Sequence, residues 1–205
     1  MSKAFDQEAI MDFVTSDSRN LALSLSILSI ESKIRMHIID SFLDKLKAEV
    51  IEVIESRFLI DEWEVSFDNS KNTIRYSSLF QIKKKSWNNE YAIMLEPQQG
   101  NINSLCYGIK SKHKTGRTEE GKKIHELVLS ALDAGGYALD RSQSTEWWPY
   151  CPWVAEEFMH WGQAETLLLL SDSTNTSKAL HYFVDKFIAL VEVTSVELDK
   201  FIESK

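Results

Sequence analysis

The apolar positions of this chain change their spacing twice. Between Leu21 and Ile54 they fall at Ile27, Ile30, Ile34, Ile38, Phe42, Leu46, Val50, Val53 and Ile54. Steps of three and four place them on one stripe of a helix. No Gly or Pro interrupts the stretch from Arg19 to Phe58, and Ser16, Asp17 and Ser18 offer capping oxygens ahead of it. Its opening, LALSLSILSIES, also alternates in the manner of a strand. The long periodic continuation favours helix, and such a helix needs a partner. A shorter helix is expected over Phe5–Val14, with Phe5, Ile10, Phe13 and Val14 on one face.

Near Arg57 the period shortens. FLIDEWEVSF, TIRYSSLFQIKKK, EYAIMLE and NSLCYGIKS are short and rich in aromatic and β-branched residues. Turn formers separate them: DNSKN (Asp68–Asn72), SWNN (Ser86–Asn89) and PQQGN (Pro97–Asn101). Four such runs with short links predict an antiparallel meander. Thr118 then caps a helix through Ile124, Leu127, Val128 and Leu132, which Gly135 and Gly136 stop. AETLLLLS (Ala164–Ser171) is a short buried strand or a helical turn, between which periodicity does not decide. After SDSTNTS, a last helix carries Leu180, Val184, Phe187, Val191, Leu198 and Ile202 along one side.

Helices segregated from strands define an α+β fold. The expected architecture is an antiparallel meander sheet of about four to five strands packed against long N- and C-terminal helices. A chain of 205 residues suits a single domain over 1–205. Its expected parts are helices over 1–56, then sheet, helix and aromatic segment over 57–171, and a C-terminal helix over 172–205.

Composition adds compartment and charge. A hydrophobic content of 43% with 26% charged residues is that of a soluble globular protein. Cys106 and Cys151 stand alone, without the CxxC spacing of a metal site, which suits a reducing compartment. The start, MSKAFDQEAIMDF, lacks the basic-then-apolar order of a secretory signal, and no apolar run is long enough to cross a bilayer. A cytoplasmic protein is expected. The net charge is −8, yet Lys83, Lys84, Lys85, Lys110, Lys112, Lys114, Arg117, Lys122 and Lys123 share one span with only Glu90, Glu96, Glu119 and Glu120. A basic island of this kind attracts a polyanion, or is simply a set of solvated strand and helix ends.

The densest sequence signal is Ser144–Trp161, which holds Trp147, Trp148, Tyr150, Trp153, Phe158 and Trp161. Such rings form a core, anchor a protein partner, or stack on single-stranded bases. Glu146, Glu156 and Glu157 repel phosphate here, which favours a protein partner over nucleic acid at this face.

Trp87–Tyr91 (W-x-N-E-Y), Leu95–Gln98 (L-E-P-Q), Tyr107–Ile109 (Y-G-I) and Glu146–Trp148 (E-W-W) occur in that order, followed by Trp161 and a C-terminal helix. From Ile34 to Phe201 this resembles the C-terminal, non-catalytic region of bacterial and phage proteins of the PD-(D/E)XK nuclease superfamily. In that group the nuclease core lies upstream, and this chain leaves no room for one ahead of its helices. The resemblance therefore implies a stand-alone accessory domain, in a setting of restriction, mobile elements or phage defence.

Candidate chemistry is sparse. A metal-dependent nuclease needs two or three carboxylates and a lysine at one strand end. Asp61 or Asp68 with Glu96-Pro97-Gln98 is a degraded version, with Gln98 in the place of the lysine. Glu31-Ser32-Lys33 has the letters of an E-x-K motif but lies in helical context, and Glu203-Ser204-Lys205 is the chain end. For zinc, Cys151 and His160 supply two ligands where four are needed, and His37, His113, His125 and His181 are scattered. Neither cysteine lies in a nucleophile elbow, and no phosphate-binding glycine loop is present. No catalytic residue, metal or cofactor is called for. The expectation is a non-enzymatic interaction or regulatory module beside a nuclease or similar effector. Its partner would meet Trp147, Trp148, Tyr150, Trp153 and Trp161. The alternatives are nucleic-acid binding through the basic island and a degenerate metal nuclease. A homodimer joined along a helical seam is a further expectation.

Overall fold

The stripe of apolar residues predicted near the N-terminus does form helix, but in pieces. A computed structural model describes residues 7–67, 79–137 and 142–204. Helices α1 (Gln7–Thr15), α2 (Ser18–Ser29) and α3 (Glu31–Arg57) occupy the first part. Asp17 caps α2, its carboxylate accepting from the amides of Arg19 and Asn20. The single helix expected from Leu21 to Ile54 is broken at Ile30, whose backbone leaves helical values. Serines explain this without Gly or Pro. The Ser26 hydroxyl donates to Ala22 O and that of Ser29 to Ser26 O. Such back-bonding competes with the helical ladder and bends it.

The chain divides into two compact units, Met1–Ile38 and Ile39–Lys205. The boundary matches the burial of α3, whose buried stripe begins at Ile39 and continues through Phe42, Leu43, Leu46, Val50 and Ile54.

In the second unit, β1 (Trp63–Ser66), β2 (Phe80–Lys84), β3 (Tyr91–Gln99) and β4 (Asn103–Ser111) form an antiparallel sheet in that order. The meander is as expected, with Thr73–Ser78 and the DNSKN turn outside the described residues. Helix α4 (Glu119–Ala134) follows, capped by Thr118, whose hydroxyl accepts from Gly121 N, and closed at Gly135. Then come the short pair β5 (Ser142–Gln143) and β6 (Cys151–Pro152), and helices α5 (Ala164–Ser171) and α6 (Ser173–Glu203). The run of leucines is thus helical. Leu167 and Leu170 are buried while Leu168 is exposed, a helical and not an alternating pattern.

Register assigns the two faces of the sheet. Phe80 pairs with Leu95, Ile82 with Ile93, Ile93 with Ile109 and Leu95 with Tyr107. This apolar face meets α6, where Phe80 stacks on Phe187 at 5.1 Å between ring centres and Tyr107 meets it edge-on. Phe42 of α3 completes the core against Trp161 and Phe183. Trp87 is fully buried, its indole N–H donating to Asp199 of α6.

One connection differs from expectation. Pro97, Gln98 and Gln99 continue β3, and the turn is moved on to Gly100–Ile102. Among the described residues the strand neighbour of Pro97 is Leu105 of β4.

Candidate functional site

The other face of the sheet carries polar side chains. Gln81 stands opposite Met94, Met94 opposite Gly108, and Glu96 opposite Cys106. A strand alternates its side chains, so Lys83, Ala92 and Lys110 share this face. The segment after β5 lies along β4. The amide of Ile109 donates to Tyr150 O, Ser111 N to Trp147 O and Val154 N to Leu105 O. Gly108 makes this approach workable. A Cβ there would sit 2.1 Å from Tyr150 O, and its φ of 141° is one that L side chains rarely adopt.

Between this segment and the strands lies a groove of about 510 Å³. Its lining includes Gln81, Lys83, Met94, Glu96, Lys110 and Trp147, with Trp148 at its wall. At its base the Lys110 ammonium donates to Glu96 Oε2 at 2.6 Å. The Glu96 side chain is 8% exposed and that of Lys110 is 25% exposed. Lys110 also lies 5.5 Å from the centre of the Trp148 ring. At the rim, Lys114 sits over Trp147 at 5.2 Å and pairs with Glu146 at 3.0 Å.

Behind the groove Cys106, Cys151 and Trp148 pack together, with Met94 against them. Gln98 Nε2 donates to Cys106 Sγ at 3.1 Å. The Cys106 thiol is pushed up well above its ordinary range, first by its hydrogen bond with Cys151, then by burial and the Glu96 charge. A thiol held protonated is a poor nucleophile. At the edge, Tyr91 donates to Glu120, and burial followed by that carboxylate pushes its phenol up.

The five rings expected to meet a partner divide. Trp148, Tyr150 and Trp161 are core residues, with exposures of 3% or less. That corrects their assignment as contacts, since a ring closed in by its own fold has no face for a partner. Trp147 and Trp153 remain open, at 40% and 41%.

The basic island divides too. Lys84 is 11% exposed and tied to Asp199, Ser195 O and Glu62, so it is a structural cation rather than a nucleic-acid contact. Lys110 pairs with Glu96, Lys112 with Glu90, Lys114 with Glu146 and Lys122 with Glu119. Lys83, Lys85, Arg117 and Lys123 have no ion pair among the described residues.

The degraded nuclease motif gains an ammonium that letter-spacing did not reveal. Lys110 reaches Glu96 from the adjacent strand, while Gln98 turns to Cys106. Asp61 is exposed in a turn before β1, and Asp68 lies outside the described residues. Glu31 is spent on an ion pair with Arg35. Among the described residues no group of three His, Cys, Asp or Glu side chains converges on a metal position. Cys151 turns to Cys106, and His160 Nδ1 accepts from Ser104 N.

Gln81 and Met94 were not singled out from sequence, although Gln81 and Lys83 alternate with apolar neighbours in β2, as Met94 and Glu96 do in β3. No helix among the described residues is long and apolar enough to cross a membrane. No family model matches this chain, and neither a curated protein nor a solved structure matches it.

Proposed function

We propose that this protein is a non-catalytic recognition module whose groove on the outer sheet face receives a segment of a partner protein. The observation that carries this is convergence. The basic island and the aromatic segment, far apart in sequence, both contribute to one groove: Lys83 and Lys110 from the first, Trp147 from the second. A half-exposed Trp beside mixed polar groups is an anchor of the kind that dominates protein interfaces. The cations at the groove are mostly matched by carboxylates, which suits a mixed polar surface better than a polyanion. The resemblance of the aromatic motifs to PD-(D/E)XK-associated regions points to a nuclease or similar effector as the partner, in phage defence or mobile-element biology.

The test places a photo-crosslinking amino acid at Trp147 and, as a control, at Leu168, an exposed residue of α5 away from the groove lining. In the native host, position 147 should capture one protein that position 168 does not, and Lys83→Glu should abolish the capture. Equal capture at both positions would sink the proposal.

Nucleic-acid binding has one observation in its favour: Lys83, Lys85, Arg117 and Lys123 carry no ion pair among the described residues, and Lys83 shares the groove with Trp147. Cation and ring together form a stacking platform. That reading requires affinity for oligothymidine that falls steeply with salt and is lost in Lys83→Glu/Lys85→Glu.

A further inference from the structure

We propose that α1 and α2 build the seam of a homodimer, each chain covering the apolar helices of a second copy. Ten of the fifteen large hydrophobic residues found exposed among the described residues lie between Ile10 and Ile34, at 41% to 69% exposure. Helix α2 is apolar on two opposite sides. Leu21, Leu25 and Leu28 follow one line, and Leu23, Ile27 and Ile30 follow another about half a turn away. A helix apolar on both sides belongs inside a packed assembly. Helix α1 packs on α2, yet none of the residues of either helix is buried.

Three polar side chains of α2 are answered within the unit. The Ser26 and Ser29 hydroxyls donate to carbonyls of their own helix. The Asn20 side chain donates to Phe13 O and Ser16 Oγ. No charged residue occurs from Asn20 to Ile30. From Asn20 to Ile30 two copies therefore meet without like charges facing each other, while Glu8 and Asp12 of α1 and Asp17 ahead of α2 lie outside that stretch.

Area favours a second copy. With a large apolar residue taken as about 200 Å² when fully open, the exposed fractions amount to roughly 1,000 Å² per chain over both sides together, against about 800 Å² per partner in a standard interface. A twofold axis lets the same patch serve both chains.

Analytical ultracentrifugation of the full chain across roughly 1 to 100 µM tests the proposal. The wild type should sediment as a dimer. Leu21→Glu/Leu25→Glu and Leu23→Glu/Ile27→Glu place carboxylates on the two opposite lines. At least one should weaken dimerisation by about a hundredfold or more, because a buried unpaired charge is costly. All six tryptophans lie beyond Ile38, so unchanged tryptophan emission verifies that the second unit remains folded in each variant. Three results would overturn the proposal. The first is a wild type that stays monomeric across the range, with or without binding to phosphatidylcholine vesicles. The second is a dimer that persists undiminished in both variants. The third is a monomeric wild type whose tryptophan emission shifts in the variants, since the second unit would then be what covers these helices.

Discussion

Replacing Lys110 by Met separates two opposing energies at the base of the groove. At 2.6 Å and an effective dielectric of about 20, the gross attraction between Lys110 and Glu96 is about 6 kcal/mol. Withdrawing the two charges from water costs several kcal/mol per ion, so the pair as a whole contributes little net stability. Removing one partner is different. Met keeps an apolar stem against Trp148, but the Glu96 carboxylate is left 8% exposed with no cation. The expected loss is about 2–4 kcal/mol, below the range for fully buried pairs because a quarter of Lys110 already reaches water. Glu96→Gln should cost only about 1 kcal/mol, since the freed ammonium can turn to solvent. For a chain of this size, a loss near 3 kcal/mol lowers the melting temperature by about 6–12 °C.

The double variant Glu96→Gln/Lys110→Met discriminates best. Neither charge remains to be desolvated, so it should be at least about 1.5 kcal/mol more stable than the sum of the single effects predicts. Urea denaturation followed by tryptophan emission reads the transition, with Trp148 beside the substituted site. Additivity within about 0.5 kcal/mol, or a Lys110→Met cost under about 1 kcal/mol, would refute the account of a desolvated, mutually dependent pair.

Gly108→Ala should destabilise the second unit by about 3 kcal/mol or more, because the new Cβ meets Tyr150 O at 2.1 Å and the backbone resists relaxation. Denaturant midpoints would show it, and a loss below about 1 kcal/mol would mean the aromatic segment shifts freely along β4. Asp172→Ala removes the carboxylate that accepts from Thr174 N and Asn175 N at the start of α6, and should cost about 1 kcal/mol in the same assay. Tyr91, with its phenol pushed up in the folded chain, stays protonated there after the unfolded phenol ionises near pH 10. The folded state then holds the extra proton, so stability falls as pH rises beyond about 10. Melting curves of Tyr91→Phe should show less of this alkaline loss than wild type, and identical slopes would contradict the assignment.

What the sequence disclosed and what it concealed follow from the range of the interactions involved. Periodicity located α6, the strands and the far part of α3, because each buries one face and repeats at its own step. Thr118 was legible as a cap since its partner, Gly121 N, is three residues away. The break at Ile30 was not legible, because serine back-bonding leaves no breaker residue in the chain. Leu167–Leu170 concealed its helix because four identical residues carry no period. Trp147 and Trp148 are adjacent and of one type, yet one is open and the other closed. The chain bends at Glu146 and Trp147, and Thr145 N donates back to Trp148 O, a local geometry that composition alone does not disclose.

The groove is the hardest feature to foresee, and register is the reason. Lys110 meets Glu96 only because the turn at Gly100–Ile102 sets Glu96 opposite Cys106. A slip of one residue would send Lys110 to the apolar face. A turn placed at Pro97–Asn101 ends β3 at Glu96 and leaves out Pro97 and Gln98, which line the groove. The proline that argued for a turn instead lies within β3, paired with Leu105 of β4. Along β3, Met94, Glu96 and Gln98 fall on one face and line the hollow together with Trp148. Strand alternation and register, not any local motif, therefore bring these groups into one hollow.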